Sequence, residues 1–414
     1  MRKVLTSIFV FALILLGAPI ANAEGVAITI SEPSHRQIDG VFIDDELTTL
    51  LSYEGRLGQL VFNPARGMRN WFIDPQLIEE VTAMTSDYVL IDGEKGVGGT
   101  VAKNWLNQLA AMTRGDQISA LPFGSPSGYW ISKLSPDKSE FYLSFGAKRL
   151  TALLKRQVNQ MQSYPNNTNQ KLDNSTMNAY KEAQRVLGVN SSYMTPVEIE
   201  TFQGQSASVL HPDLKVSTRT ILALDLFSAA LEISEKIRLA PGRFTVTTTK
   251  QNLPITLVND FTNPAKISLR VETINGKVIV GKVPDQVVNG KSKIQVMIPV
   301  EVITSGKSTL VVKIYSEKRK LLGNEVFYPV TLKVISPVAT WITTGGAIVL
   351  FLSALVQSFR RIKRTRKKSE VVLILCELNR VLLSITSCIL TVFPGIKLYA
   401  KLSCISTSPS FPFI

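Results

Sequence analysis

Twenty-two consecutive residues, Val338 to Phe359, carry no charged side chain (VATWITTGGAIVLFLSALVQSF), and RRIKRTRKK follows at once. As a helix that stretch rises about 33 Å, enough to cross a ~30 Å hydrocarbon layer. The seven cations behind it, Arg360, Arg361, Lys363, Arg364, Arg366, Lys367 and Lys368, are expected to stay on the cytoplasmic side. A transmembrane helix at 338–359 with a basic cytoplasmic stop at 360–370 therefore divides the chain before any other motif is considered.

The other end agrees with that division. Arg2 and Lys3 precede a short apolar run, Val4 to Leu16, and Ala21-Asn22-Ala23 offers small residues at −3 and −1. This pattern predicts a signal peptide over 1–23, cut before Glu24. Leader first and stop last give one orientation: a single-pass plasma-membrane protein with its N-terminal bulk extracytoplasmic. The net charge of +14 then loses its apparent meaning. Twelve of the 46 Lys and Arg lie in the leader, the basic run and the tail, and two of the 32 acids lie in the tail, so the exported part is only +4. The cationic run reads as a topology signal that can also meet anionic lipid head groups, and no nucleic-acid partner is expected.

Residues 371–414 are apolar but interrupted by Glu377 and Arg380, and Val381 to Ile396 gives only 16 uncharged residues. The segment fits neither a second span nor an interfacial helix. We read it as an atypical tail, such as a frameshift after the basic run would produce. All three cysteines, Cys376, Cys388 and Cys404, fall in it. The exported part thus has no disulfide and no thiol chemistry. With only His35 and His211, a multi-histidine zinc site is not expected, and a serine triad would have to use one of those two rings. We expect no cofactor and no metal.

Between leader and span the texture changes twice. Over 24–137, VAITI (26–30), QLVF (59–62), NWFI (70–73), YVLID (88–92) and ISALPF (118–123) read as strands, separated by the helical patterns DDELTTLLSYEGRL, DPQLIEEVTAM and GTVAKNWLNQLAAMT. That βαβα rhythm predicts a helix-covered, mostly parallel sheet or a partial (β/α) barrel, with helices on both faces. Residues 138–240 read as a helical extension of this α/β domain, including one long helix over 216–239. N-x-S/T sequons occur there at Asn166, Asn174 and Asn190. Over 241–336, six or seven alternating β-branched runs separated by Asn-Pro, Asn-Gly and Ser-Gly turns predict a membrane-proximal immunoglobulin-like β-sandwich. The fold class expected is multidomain α/β plus all-β with one transmembrane helix.

The candidate site residues lie at strand ends. Asp74 follows a short apolar run and precedes Pro75, the pattern of a helix N-cap with proline at the first helical position. Its place at the C-terminal edge of a strand is also where barrels and open α/β sheets keep their chemistry. Asp92 and Glu94, in IDGEKGVGGT, end another expected strand; with Asp74 they are the catalytic candidates if this is an enzyme, as acid and base on a glycosidic or amide bond. The competing reading of 91–100 is a solvated turn, and it is not a phosphate loop. Ser135-x-x-Lys138 and Gly204-Gln205-Ser206-Ala207-Ser208 match nucleophile motifs without their context. Tyr129 and Trp130 are candidates to stack on sugars, with core packing the alternative.

Several stretches carry a family likeness: EGRLGQLV (54–61), WFIDPQLIEEV (71–81), AKNWLNQL (102–109), ALPFGSP (120–126), and RFTVTT with LPITLVN (243–259). With the final helix and its Arg-rich stop, they make the chain resemble uncharacterised, membrane-anchored cell-envelope proteins of actinobacteria whose genes often neighbour that of the lipid II flippase. The resemblance implies an α/β region related to sugar-processing barrels, a sandwich and one span, and it assigns no catalytic role. The chain departs from that pattern in being short before residue 50 and in having Gly124-Ser125 where acidic residues are expected. The leading expectation is a non-enzymatic scaffold or regulator near cell-wall precursor export or assembly, with the flippase or other wall-assembly proteins as partners. The alternatives are a carbohydrate-active hydrolase or deacetylase, and a glycan- or solute-binding receptor.

Overall fold

The computed structural model describes residues 25–165, 167–333 and 337–364. The expected leader, Asn166, the join at 334–336, the last cations of the basic run and the tail lie outside the described residues.

Four parallel strands form the first sheet, in consecutive order: β1 (Val26–Ile30), β2 (Arg69–Ile73), β3 (Gln117–Ala120) and β4 (Asn159–Gln160). Ile28 faces Trp71 across β1–β2, and Trp71 faces Ile118 across β2–β3. Helices α1 (Glu46–Leu51), α2 (Arg56–Phe62), α3 (Pro75–Met84) and α4 (Gly99–Met112) lie between β1 and β3, and α5 (Gly128–Leu134) and α6 (Ser139–Leu154) between β3 and β4. One sheet face is sealed. Ile28, Ile30, Trp71, Ile73, Ile118 and Ala120 are buried in a core that also takes in Leu47, Leu57, Val81, Trp105 and Leu150 from these helices. The other face is not sealed. Thr29 is exposed, and Phe72 and Ser119 are only half-buried. The period-two burial pattern, polar on the second face, is the reason the expected double coverage is not seen.

Two expected strands are something else. QLVF belongs to α2, because Leu57 and Val61 sit four residues apart and meet the core as a helical stripe. The 88–92 segment makes only isolated bridges, Phe42 to Leu90 and Val89 to Lys95, and so closes a tight loop outside the sheet.

Three longer helices follow: α7 (Asn174–Asn190), α8 (Pro196–Ser206) and α9 (Val216–Glu235). The sequence suggested one helix to residue 239. It stops at Glu235, and Ile237–Leu239 pairs as strand β5 with β7 (Lys250–Asn259). The all-β part has two sheets. One has the order β5, β7, β11 (Ser292–Val302), β9 (Val278–Val280). The other runs β10 (Gln286–Val288), β8 (Ala265–Thr273), β12 (Gly306–Ser316), β13 (Leu321–Leu332), β6 (Phe244–Val246). Alternate residues, such as Leu253, Ile255 and Leu257 on β7 and Leu310, Val312 and Ile314 on β12, fill one core. That core is continuous with Ala183, Val186, Leu226 and Ala230 of α7 and α9. The three strands of this part missed from sequence, β5, β9 and β10, are each three residues long, and β4, also missed, is only two, too short to show a period.

Described by itself, the last helix is α10 (Pro337–Arg364). Its segment Trp341–Arg360 is long and apolar enough, by length and composition, to cross a membrane.

Candidate functional site

Chain direction places Asp74 directly after β2, where its N–H donates to Ile30 O of the neighbouring strand. With Pro75 at N1 it caps α3, and Oδ1 accepts from Gln76 N at 2.9 Å. The same oxygen accepts from Gly124 N at 3.0 Å, and Oδ2 accepts from the Ser125 hydroxyl at 2.8 Å. The residue is fully buried. Burial pushes its pKa up to about 7 against the pull of those three donors, with nearby Glu80 adding to the rise.

Glu80, one helical turn and a half further along α3, was not singled out from sequence. It is also buried. Its Oε1 accepts from Ser34 Oγ (2.7 Å) and Gln76 Nε2 (2.9 Å), and its Oε2 from His35 N (3.0 Å). Burial raises its pKa too. Gln76 completes a bridge: its Oε1 accepts from Ser208 Oγ at 2.5 Å. A buried glutamate inside an amphipathic helix is the sequence signal that would have found this network, since Glu79 and Glu80 interrupt the apolar stripe of DPQLIEEV.

The two histidines have opposite fates. Burial works against charge on His35, but Asp44, 2.7 Å from Nδ1, together with Glu32 and Glu80 outweighs it, and the pKa rises to about 10. Burial, helped by the charges of Arg219 and Arg56 and opposed by Asp213 and Glu32, drives His211 down to about 4, and its Nδ1 accepts from Asp213 N at 3.1 Å. One ring is an imidazolium in an ion-pair cluster; the other is neutral and structural. His35, Asp44 and Glu46 come close enough together to suggest a metal site. Without an ion these groups satisfy one another as an ion-pair cluster, His35 with Asp44 and Glu46 with Lys215, both at 2.7 Å.

Asp92 and Glu94 are brought to each other, while Asp74 hydrogen-bonds to neither. Both are exposed, and Asp92 Oδ1 accepts from Glu94 N at 2.9 Å in a turn closed by Leu90 N to Glu94 O. Ser135 accepts from the Tyr180 hydroxyl, which lies 2.9 Å from that of Tyr142. Ser206 donates to Gln203 O within α8. Both motif serines are thus tied into interior hydrogen bonds. Trp130 Nε1 donates to Gln170 O, which anchors it to a loop. Asn190 is buried with its amide on Val186 O, so its sequon is closed to a glycosyltransferase in the folded chain.

Beside the Asp74–Glu80 network lies a cavity of about 50 Å³, lined by Ser34, Gln76, Glu80, Ser208, Leu222 and Asp225 among others. That is room for a few waters, well below the ~300 Å³ at which ligand pockets begin. A larger hollow, about 530 Å³, opens elsewhere, between the α1–α2 turn and α4, and contains no carboxylate.

Parallel sheet, helix-linked double-sheet region and one apolar helix define a mixed α/β protein with, among the described residues, one candidate membrane span. The chain belongs to a family of unknown function, DUF6049, whose model matches residues 146–370. No curated protein matches the sequence. Among solved structures, native α-2-macroglobulin of E. coli is similar over 23% of this chain at 14% identity and TM-score 0.20. This chain covers only 6% of that protein. WR4, a C. elegans MSP family member, matches 23% of this chain and 97% of its own at 14% identity and TM-score 0.19. The PapD-like domain of human CEP192 matches 24% and 85% at 13% identity and TM-score 0.19. At these scores the likeness has no bearing on function.

Proposed function

We propose that the protein is a membrane-anchored, extracytoplasmic scaffold or regulator without catalytic turnover, acting beside cell-wall precursor export or assembly. One observation carries the non-enzymatic half of this reading. The carboxylate at the C-terminal edge of β2, where a parallel sheet would keep its chemistry, spends both oxygens on Gln76, Gly124 and Ser125. A general acid or base must reach a substrate proton at hydrogen-bond distance. A fully buried Asp74 beside a water-sized cavity offers no such approach, and Asp92 and Glu94 lie on an exposed turn of their own. This supports the scaffold reading over the hydrolase alternative. The consecutive 1-2-3-4 strand order supports a partial (β/α) barrel over a doubly wound sheet. The wall-assembly setting rests on the family resemblance of residues 54–61, 71–81, 102–109 and 120–126, and the anchor on the composition of Trp341–Arg360.

The test is cross-linked copurification of the tagged full chain from membranes, against a control protein of the same topology. Enrichment of the lipid II flippase or wall-synthesis proteins is the expected result. Their absence, together with glycan cleavage that disappears in a folded Asp74→Asn variant, would overturn the proposal.

A further inference from the structure

The hollow between α1, α2 and α4 has the chemistry of a sugar-binding groove. Its lining is Leu51, Ser52, Tyr53, Phe62 and Val101 with three amides, Asn104, Asn107 and Gln108. No charged residue lines it, in a chain with 78 charged side chains among 414 residues. The three amides fall at i, i+3 and i+4 of α4 and so share one helix face. Among the described residues none of them hydrogen-bonds to protein, so their donors and acceptors point to solvent at the groove. Tyr53 is 60% exposed, and its ring lies 5.8 Å from that of Phe62. An uncommitted amide row beside the exposed ring of Tyr53, which is backed by the half-buried Phe62 at a 45° tilt, offers paired hydrogen bonds to ring hydroxyls or acetamido groups and one aromatic face for sugar C–H groups.

The walls are fixed in advance. Trp105, on the inner face of α4, donates its indole N–H to Leu57 O of α2 at 2.9 Å, and both residues are fully buried. Gly58 packs so closely on Ser52 O that a Cβ there would sit 1.6 Å away. Gln59 Nε2 donates to Tyr53 O at 2.7 Å. These contacts lock the 52–55 turn that carries Tyr53 against α2, so little ordering is left to be done on binding. The volume, about 530 Å³, lies within the range of ligand pockets.

We propose that this groove binds a neutral oligosaccharide, with Tyr53 as the stacking ring, Phe62 as its apolar support, and Asn104, Asn107 and Gln108 as the hydrogen-bonding row. The site is separate from Asp74 and does not depend on the scaffold reading; an anchored scaffold holding a wall glycan and a plain glycan receptor would both use it. The experiment is calorimetric titration of the full chain in detergent with chitotetraose, and with maltotetraose and polygalacturonate for comparison. Saturable, millimolar or tighter binding of a neutral oligosaccharide, at least tenfold weaker in Tyr53→Ala and in Asn104→Ala/Asn107→Ala, is expected. Tyr53→Phe should retain it. Thermal melts of each variant exclude unfolding, which the exposure of Tyr53 makes improbable as a cause. Saturable binding unchanged by these substitutions, preference for the polyanion, or no heat with either neutral sugar would overturn the assignment.

Discussion

The Asp74 carboxylate and the Ser125 hydroxyl meet at 2.8 Å across 51 positions of chain, fixing the turn after β3 to the helix start after β2. That turn needs fixing. Gly124 and Ser125 both have left-handed backbones, with φ of 71° and 40°, a conformation that costs a non-glycine residue about 1 kcal/mol or more. Asp74→Ala would leave the N–H groups of Gln76 and Gly124 without an acceptor, while the Ser125 hydroxyl can turn to Ser31 Oγ at 3.1 Å. Each buried orphan costs about 1–3 kcal/mol, so we expect a loss of at least ~2 kcal/mol in urea unfolding. Asp74→Asn, which keeps one acceptor oxygen, should lose about half as much.

The same carboxylate predicts how stability varies with pH. Its folded pKa of about 7 lies above its ordinary value of 3.8. Between those values the native state holds a proton that the unfolded chain has released, so this group's contribution to stability is complete below pH 4 and is lost as pH rises through 7, by roughly 4 kcal/mol at most. The Ser31 hydroxyl, 3.1 Å from Ser125 Oγ, gives Ser125 an alternative partner when Oδ2 is protonated. His35 has the same sign in a higher window. Its contribution is complete below pH 6.5 and lost as pH climbs through about 10. His211, depressed to about 4, has the opposite sign between pH 4 and 6.5, so each group shows in a difference between stability curves. The native chain minus Asp74→Asn should decline from pH 4 to 7, and the native chain minus His35→Gln from pH 6.5 to 10.

The elements legible in the sequence are those with a period long enough to count. β1 and β2, α3 and α4, and the five long strands of the all-β part all carry five or more residues of consistent alternation or helical spacing. Asp74 as a cap was legible too, because Asp-Pro-Gln is a local signal whose physics needs no partner. Its bonds to Gly124 and Ser125 were not, since they join segments 50 positions apart. Glu80 was missed for the same reason: its bonds to Ser34 and His35 N span 46 and 45 positions and form only when β1 and α3 are side by side.

Two helical glycines should respond oppositely to alanine. A Cβ on Gly146 of α6 would sit 2.2 Å from Leu121 O, whereas at Gly188 of α7 nothing lies within 4 Å. Alanine gains up to ~1 kcal/mol over glycine inside a helix when space allows. Gly188→Ala should therefore raise Tm slightly, while Gly146→Ala should lose about 1–3 kcal/mol by forcing α6 away from the end of β3. Differential scanning fluorimetry of both variants reads the contrast directly.

In the all-β part the same reasoning picks out Asn259, the fully buried last residue of β7. Its Nδ2 donates to the carbonyls of Asn263 (3.0 Å), Val288 (3.2 Å) and Asn289 (3.1 Å), and its Oδ1 accepts from Phe261 N at 3.0 Å. One amide thus holds the 260–264 turn to the segment between β10 and β11. Asn259→Asp replaces a donor surrounded by three carbonyls with a buried anion that only repels them. It should be the more damaging variant although it is the same size, with loss exceeding ~3 kcal/mol, because neither a partner nor water compensates the charge. Asn259→Ala should cost about 2–3 kcal/mol. Hydrogen exchange should localise the change to amides of residues 260–264 and 286–291. Equal stability of Asp and Asn at this position would mean that the three carbonyls are satisfied by something other than the Asn259 amide.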